Sequence, residues 1–359
     1  MSAADRPPLR VVLAKLGLDG HDRGLKVVAR ILRERAGDFD IAHDNQVLGY
    51  GMLDIEQQMP LITTLHHPIT FDRRIDISQT RNPWRKLTLS RWYGFLRMQG
   101  RVARAARHIM TPSETSKRDI AADFGVDPAR MQVILLGVDD GFVPPSVPRV
   151  PGRILAMASA DAPMKGIATL LEAFAKLRTE RDVELLLVTK PKPGGRTEKL
   201  IEKLSIGDSV RFVHGISDAE LVALMGSAEV ACVPSFYEGF SLPTAELMAC
   251  ATPLIVSRAG AIPEVTGPDG LCADMVTAGD VGELEQALAA LLDDPERRAR
   301  MGAAGRQRVE EMFSWRAVAV KVAAAYEQVV ASWHAEGPMP DPGRKGRRTE
   351  KWSAARADR

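Results

Sequence analysis

The chain has few cysteines, few aromatic residues and no long apolar run. Three of its 359 residues are cysteines, and 5% are aromatic. Cys232, Cys250 and Cys272 each lie in an apolar stretch without metal-site spacing, so we expect buried thiols in a reducing compartment. No run approaches the roughly 20 apolar residues that span a membrane, and the first residues lack a signal-peptide core. We therefore expect a cytoplasmic protein.

The chain also lacks a strong net charge. Its 48 basic and 46 acidic residues leave a formal charge of +2, which indicates no nucleic-acid partner. No Asp-x-Asp motif follows a predicted strand at a position suited to a metal ion. The hydrophobic fraction of 45% and the charged fraction of 26% are typical of a globular enzyme, and the length suffices for two domains.

Strands and helices alternate along most of the chain, which predicts an α/β fold with doubly wound parallel sheets. A proline-rich connector at residues 144–151 marks the predicted boundary between two Rossmann-like domains. We therefore expect an N-terminal domain (1–148) and a C-terminal domain (149–315). A helix at 316–336 could return to the first domain, and the basic residues 337–359 are expected to be disordered.

The stretch from Ser235 to Glu246 is a candidate site in the second domain. It follows a predicted buried strand, contains Gly239, and leads into a helix predicted to begin at Pro243. Such a loop leaves backbone N–H groups free for a phosphate or a sugar hydroxyl, and it places Glu238 and Glu246 on one rim. The alternative is that each carboxylate is only solvated or balances the helix dipole.

A glycine-rich loop characterises the first predicted βα unit, residues 1–37. Residues 8–36 resemble the opening of the cobalamin-binding domain of methylmalonyl-CoA mutases, whose Asp-x-His-x-x-Gly motif matches Asp19, His21 and Gly24. The resemblance implies that His21 is an axial cobalt ligand and that Asp19 supports it by a hydrogen bond. The alternative is that the segment is only the first strand, loop and helix of a parallel sheet.

A basic, aromatic segment extends from Trp84 to Arg107. It contains seven Lys or Arg residues and no acidic residue, interleaved with Leu, Trp, Tyr and Phe. One interpretation is a helix or helix pair that contacts a membrane surface or an anionic acceptor. The other is a partly buried helix with a solvated cationic face.

Residues 38–333 resemble the family 4 retaining glycosyltransferases of the GT-B architecture. Several motifs agree in order: MKG at Lys165, YEGFSLPTAE at Glu238 and Glu246, then AGAIPEVTG and FSWRAVA. The resemblance implies two Rossmann-like domains whose parallel sheets face each other across a cleft. The N-terminal domain would be abbreviated, because the cobalamin-type unit replaces several strands of the family.

The resemblance assigns donor-binding roles within the same loop. Glu246 would bind the ribose hydroxyls of a nucleotide-diphosphate sugar. Gly239 and Phe240, together with Ser241, would line the sugar and phosphates through backbone N–H groups. The family's arginine ahead of the lysine is missing here, so Lys190 or Lys192 would supply that positive charge.

The resemblance also assigns the catalytic roles. Glu238 would hold the transferred hexose, Lys165 would neutralise the leaving diphosphate, and His66, at the end of a predicted strand, would contact the sugar. We therefore expect a retaining hexosyltransferase that requires no cofactor and acts on a glycan, lipid or small-molecule acceptor, with peripheral contact at the inner membrane face left open. The alternatives are a cobalamin-binding module and a nucleotide-sugar-binding protein with little activity.

Overall fold

The computed structural model describes residues 9–14, 39–46, 48–144, 146–157 and 161–338. Its strands are β1 (Val11–Ala14), β2 (Ile41–Asn45), β3 (Leu61–Thr64), β4 (Ile109–Thr111), β5 (Met131–Val133), β6 (Val150–Met157), β7 (Glu184–Val188), β8 (Val210–Val213), β9 (Ala228–Val233), β10 (Leu254–Ser257) and β11 (Asp274–Val276). These strands form two sheets, in the orders β1-β2-β3-β4-β5 and β11-β10-β9-β6-β7-β8. The pairs β1-β2, β2-β3 and β4-β5 of the first sheet are parallel, as are the pairs of the second sheet.

The α-helices of the described residues mostly connect consecutive strands. They are α1 (Gly51–Glu56), α2 (Thr70–Ser78), α3 (Pro83–Trp92), α4 (Leu96–Ala105), α5 (Glu114–Phe124), α6 (Ile167–Leu177), α7 (Arg196–Leu204), α8 (Asp218–Ser227), α9 (Leu242–Ala249), α10 (Ile262–Thr266), α11 (Val281–Asp293), α12 (Pro295–Met312) and α13 (Trp315–Glu336). Helical crossovers between parallel strands are the arrangement that the strand and helix alternation predicts. The expectation of an α/β fold with two parallel sheets is therefore confirmed.

The chain divides into two compact units. One comprises Met1–Thr64, Met98–His108 and Ala325–Arg359, and the other comprises Leu65–Arg97 and Ile109–Ala324. In the first unit His43, on β2, lies with Nε2 2.6 Å from the Thr64 hydroxyl and Nδ1 2.7 Å from the Tyr326 hydroxyl. The predicted domain limits at residues 148 and 315 stay predictions, and the predicted disordered tail lies almost wholly outside the described residues.

The six-stranded sheet is buried on both faces. Successive strand residues point to opposite sides, and residues on each side pack into an apolar cluster. Leu155 on β6 and Ala231 on β9 belong to one apolar cluster, whereas Ile154 and Val230 belong to another. Helix α6 covers the second cluster with its fully buried Leu170 and Leu171, among other residues at helical spacing. The functional loop that follows β9 is thus anchored on a strand in the middle of a close-packed sheet.

Candidate functional site

The ends of two segments meet beside β9. A 3-10 helix, Pro163–Lys165, precedes α6, and residues 234–241 connect β9 to α9. Lys165 Nζ lies 2.8 Å from Glu238 Oε1, and the Ser235 hydroxyl donates to the same oxygen at 2.7 Å. Lys165 is partly exposed and Glu238 is mostly buried, with 30% and 11% of their side chains accessible. The structure therefore brings together the two catalytic candidates of the C-terminal half.

Close backbone packing fixes this pair. The N–H of Phe236 donates to the Met164 carbonyl at 2.7 Å. Gly166 has a φ of +65°, and a Cβ there would lie 1.9 Å from the Pro234 oxygen. Only glycine tolerates both that conformation and that distance. The segment that ends at Lys165 and the loop that carries Glu238 therefore pack closely at the end of the sheet.

A second glycine supports Glu238 from the other side. Gly260 has a φ of +55°, and a Cβ there would lie 2.2 Å from the Glu238 carbonyl oxygen. The N–H of Ala261 donates to this oxygen at 2.9 Å. The backbone of Glu238 is therefore held by the segment AGAIPE, part of the motif AGAIPEVTG.

Glu246 lies on α9, which begins one residue earlier than predicted, at Leu242. Burial raises the pKa of its carboxyl group above the ordinary value, and the nearby Asp218 adds to the effect. Its carboxylate makes no hydrogen bond or ion pair with the residues that the structure describes. A half-buried acceptor group of this kind can receive hydrogen bonds from hydroxyl groups of a ligand.

The backbone of Gly239 is oriented by the N-terminal part of the site. Its carbonyl oxygen accepts from the hydroxyls of Ser113 at 2.7 Å and Ser116 at 3.0 Å. The N–H groups of Gly239 and Phe240 donate to none of the described residues. The next residue, Ser241, has a φ of +84°, and its hydroxyl lies 2.7 Å from that of Thr244.

His66 follows β3, as predicted, and is adjacent to Gly239. The Ser116 hydroxyl donates to the carbonyl oxygen of His66 at 2.8 Å. A Cβ on Gly239 would lie 2.4 Å from that oxygen, so glycine is required for the approach. The structure therefore places the backbone of His66 against the loop that carries Glu238. The role of the His66 imidazole stays a prediction.

Sequence reasoning missed a carboxylate that joins two parts of the site. The Glu264 side chain, on α10, accepts from the N–H groups of Glu114 at 2.8 Å and Thr115 at 2.7 Å. Ser113, the residue before α5, also accepts from the Ser116 N–H at 2.9 Å. The first turn of α5 is thus satisfied by two side chains. The only sequence signal for Glu264 is its place in the quoted motif.

Tyr237, in the loop that carries Glu238, contacts Asp119 and Phe71. The Tyr237 hydroxyl donates to Asp119 at 2.8 Å, and its ring stacks on Phe71 at a centroid distance of 4.1 Å. Burial raises the pKa of Tyr237, and the neighbouring Asp119 carboxylate raises it further. Tyr237 is therefore a neutral structural hydrogen-bond donor.

Lys190 lies in a cavity of about 150 Å³ whose lining does not include Lys165, Glu238 or Glu246. The lining residues are Asp161, Lys190, Pro191, Lys192, Thr197, Glu198 and Phe212. Asp161 accepts from the Thr197 N–H at 3.0 Å, at the start of α7. A carboxylate thus occupies the segment where the family has an arginine. The donor-binding role of Lys190 stays a prediction.

The cobalamin candidates, metal sites and membrane-spanning helices can be assessed only within the described residues. Asp19, His21 and Gly24 lie outside the described residues. Where the structure does describe the chain, it contains no cluster of three His, Cys, Asp or Glu side chains arranged for a metal ion. In the same part of the chain, no helix combines the length and the apolar character needed to cross a membrane.

Two family models together match most of the chain. The model described as Glycosyltransferase Family 4 matches residues 5–142, and the model described as Glycosyl transferases group 1 matches residues 145–308. The first match includes Asp19, His21 and Gly24, so the comparisons favour a glycosyltransferase and lend no support to the cobalamin alternative.

Similar solved structures share the fold. Sucrose-phosphate synthase from Thermosynechococcus elongatus aligns with a TM-score of 0.71 at 23% identity, over 89% of this chain and 81% of that one. HepE of Anabaena, solved in complex with UDP, aligns with a TM-score of 0.67 at 16% identity, over 85% of this chain and 82% of that one. With its two parallel α/β sheets, the chain therefore has the GT-B fold of glycosyltransferases.

Curated relatives identify the family. The MMP α-(1→4)-mannosyltransferase of Mycolicibacterium hassiacum is 54% identical over 304 residues, which cover 84% of this chain and 74% of the relative. The D-inositol 3-phosphate glycosyltransferase of Mycolicibacterium smegmatis is 29% identical over 262 residues, 69% of this chain and 58% of that relative. The chain belongs to the family 4 glycosyltransferases, and the expectation that it is an enzyme of this class is confirmed.

Proposed function

We propose that this glycosyltransferase moves a hexose, specifically a mannosyl residue, from a nucleotide-diphosphate sugar to a carbohydrate acceptor with retention of configuration. The observation that carries the proposal is the arrangement around residues 234–246. Around this loop and helix start lie the Lys165–Glu238 pair, two N–H groups that donate to none of the described residues, and the half-buried carboxylate of Glu246. The mannosyl residue is proposed because the 54% identical relative is a mannosyltransferase.

Glu246 is the proposed contact for the ribose of the donor. Two vicinal hydroxyls can donate to the two oxygens of one carboxylate, and burial strengthens such hydrogen bonds. The absence of a hydrogen-bond partner for this carboxylate among the described residues leaves both oxygens available to the ligand. HepE, which shares the fold, was solved with UDP, a nucleoside diphosphate of the class proposed here.

Lys165 is the proposed electrostatic catalyst. As the bond from the anomeric carbon to the phosphate breaks, negative charge develops on the phosphate oxygen. An ammonium group and fixed N–H dipoles stabilise that charge more in the transition state than in the ground state. Lys165 and the N–H groups of Gly239 and Phe240 supply these two elements.

Glu238 and His66 are the proposed contacts for the transferred sugar. Glu238 retains one carboxylate oxygen besides the Oε1 that Lys165 and Ser235 engage. An acceptor hydroxyl that attacks from the face on which the diphosphate leaves would keep the anomeric configuration. The proposed chemistry takes its positive charge from Lys165, so turnover should persist in excess EDTA, and its complete loss there would contradict this step.

We also propose a cytoplasmic location. Cys232, Cys250 and Cys272 are buried and unpaired, and burial raises the pKa of the Cys250 thiol to about 12. Free thiols are typical of a reducing compartment. Fractionation of native cells should find the protein with cytoplasmic markers, and recovery from an oxidising compartment would overturn the assignment.

Thermal stabilisation by nucleotide sugars tests the donor site. UDP-, GDP- and ADP-linked hexoses should be compared at increasing concentration, because a ligand that binds only the folded state raises the unfolding midpoint. We expect at least one to stabilise the protein, and Glu246→Ala to abolish the effect. Glu172→Ala, which removes an exposed carboxylate on α6, is the matched control and should retain it. No stabilisation by any of the three would contradict the proposal.

Turnover separates transfer from binding alone. Incubation of a stabilising nucleotide sugar with mannose oligosaccharides should release the nucleoside diphosphate in proportion to the extended product. Binding without release would instead assign the chain to the nucleotide-sugar-binding proteins with little activity.

A further inference from the structure

Helix α3 (Pro83–Trp92) presents an exposed apolar surface. None of its residues is buried. Trp84 is 77% exposed, Leu87 is 53% exposed and Trp92 is 62% exposed. Large apolar side chains at such exposure, grouped on one short helix, mark an interaction site rather than the scattered apolar residues of an ordinary surface.

The three side chains share one side of the helix. At about 100° of rotation per residue, positions 84, 87 and 92 fall within an arc of about 140°. Leu89 and Ser90 are half-buried and fall on the opposite side. The helix therefore packs along one face and turns its indoles and Leu87 toward solvent.

Cations lie in and near this apolar face. Arg85, Lys86 and Arg91 lie on α3 and Arg81 lies just before it, whereas no Asp or Glu occurs from Ile77 to Ser113. The side chains of these four cations form no ion pair with any residue in the described ranges. Their charge is therefore not neutralised within the fold and attracts an anionic partner.

We propose that α3 docks this protein on an anionic lipid surface. Indole rings favour the boundary between lipid headgroups and acyl chains, and flanking Lys and Arg side chains reach anionic headgroups from that depth. On the same projection, Arg91 falls between Leu87 and Trp84, and Arg85 falls beside Trp92, so cations and indoles would meet a headgroup layer together. A second copy of the chain fits the face less well, because a two-fold pairing of α3 would bring like charges together.

Vesicle co-sedimentation tests the proposal without reference to catalysis. The full chain should bind phosphatidylcholine vesicles that contain phosphatidylglycerol and should not bind phosphatidylcholine alone. Each cation near an anionic surface raises partitioning about fivefold, so Arg85→Glu with Arg91→Glu should lower it at least about 25-fold. Trp84→Ala with Trp92→Ala should lower it at least about tenfold, because two buried indoles are lost.

Two control variants separate the docking face from general surface effects. Lys199→Glu with Lys203→Glu reverses two exposed charges on α7, and Val320→Ala trims an exposed apolar residue of α13. Both should bind as the wild type does. The α3 residues are exposed, so all variants should keep the wild-type unfolding midpoint.

Several outcomes would overturn the proposal. Wild-type protein that ignores anionic vesicles contradicts it, as does binding that the α3 variants leave unchanged. Concentration-dependent self-association that Trp84→Ala with Trp92→Ala abolishes would assign the face to a second copy. Oligosaccharide binding lost in the same variant, without vesicle binding, would assign it to an acceptor.

Discussion

The ammonium nitrogen of Lys165 lies 2.8 Å from Oε1 of Glu238, and the two side chains meet where the 3-10 helix before α6 faces the loop after β9. Each residue is a candidate for a different part of the donor, the lysine for the diphosphate and the glutamate for the hexose. The ion pair holds both side chains before any ligand arrives. A bound diphosphate would therefore compete with Glu238 for the lysine.

Loss of Lys165 should impair catalysis more than folding. Lys165→Ala removes the positive charge proposed to stabilise the departing diphosphate, so we expect kcat to fall about a hundredfold or more. Steady-state kinetics with a nucleotide sugar measures this. Lys176→Ala removes an exposed lysine of α6 and should leave kcat unchanged. Wild-type kcat in Lys165→Ala would exclude the lysine from the transition state.

Donor affinity should depend on pH through Glu246. Burial raises the pKa of its carboxyl group, so on acidification it becomes protonated at a higher pH than an ordinary glutamate. Protonation would remove the proposed acceptor for the ribose hydroxyls, and donor KM should therefore rise as the pH falls through this raised pKa. The pH profile of KM in Glu246→Gln should lack the step. An identical step in both proteins would assign it to another group.

The raised pKa of Glu246 also determines how this residue changes the stability of the fold with pH. Because the folded-state pKa of Glu246 is raised, this group stabilises the fold most when protonated, and that contribution is lost as the pH rises from the unfolded-state pKa to the folded-state pKa. Glu246→Gln should therefore be at least as stable as the wild type at neutral pH, so that its weaker donor binding is not a folding defect.

Gly260 should tolerate no side chain. Gly260→Ala combines a strained positive φ with a Cβ that would lie 2.2 Å from the Glu238 carbonyl oxygen. Gly215→Ala is the matched control, because Gly215 has a φ of +70° and no atom within 4 Å of the added Cβ. Both lose about 1 kcal/mol to the strained backbone. Only Gly260→Ala should also lower kcat, and equal kinetics in the two would contradict a role in positioning Glu238.

Glu264 should contribute to stability through α5. Glu264→Gln replaces a charged acceptor for the Glu114 and Thr115 N–H groups with an amide, so we expect a loss of about 1 kcal/mol in the free energy of unfolding. Urea denaturation measures it. Glu296→Gln changes an exposed glutamate on α12 and should leave the midpoint where it is. Equal midpoints for both variants would show that the cap is unimportant.

Local sequence pattern predicted most of the second sheet. Apolar runs at residues 210–213, 229–234 and 254–257 predict three strands, which match β8 and β10 in their observed bounds and β9 to within one residue. Strand β11 was missed, because Asp274–Val276 has three residues and its pairing with β10 is a long-range contact. Strand periodicity cannot be recognised in so short a segment.

The sequence predicted which residues form the candidate site. It did not predict which of them contact each other. The motifs around Lys165, Glu238 and Glu246 identified the loop, and the glycine and Pro243 indicated its turn and helix start. The contacts of Glu264 with α5 and of Gly260 with Glu238 join residues far apart in sequence. Such contacts arise from tertiary packing, so they became visible only in the structure.

The anomeric configuration of the product tests the central claim most directly. Wild-type protein should be incubated with an α-configured nucleotide-diphosphate mannose and a mannose oligosaccharide, and the new linkage should be assigned by NMR as it forms. Retention predicts an α-linked product from the first turnover, and Glu238→Ala should form it far more slowly. A β-linked product, or no transfer from any nucleotide sugar that the protein binds, would contradict the account.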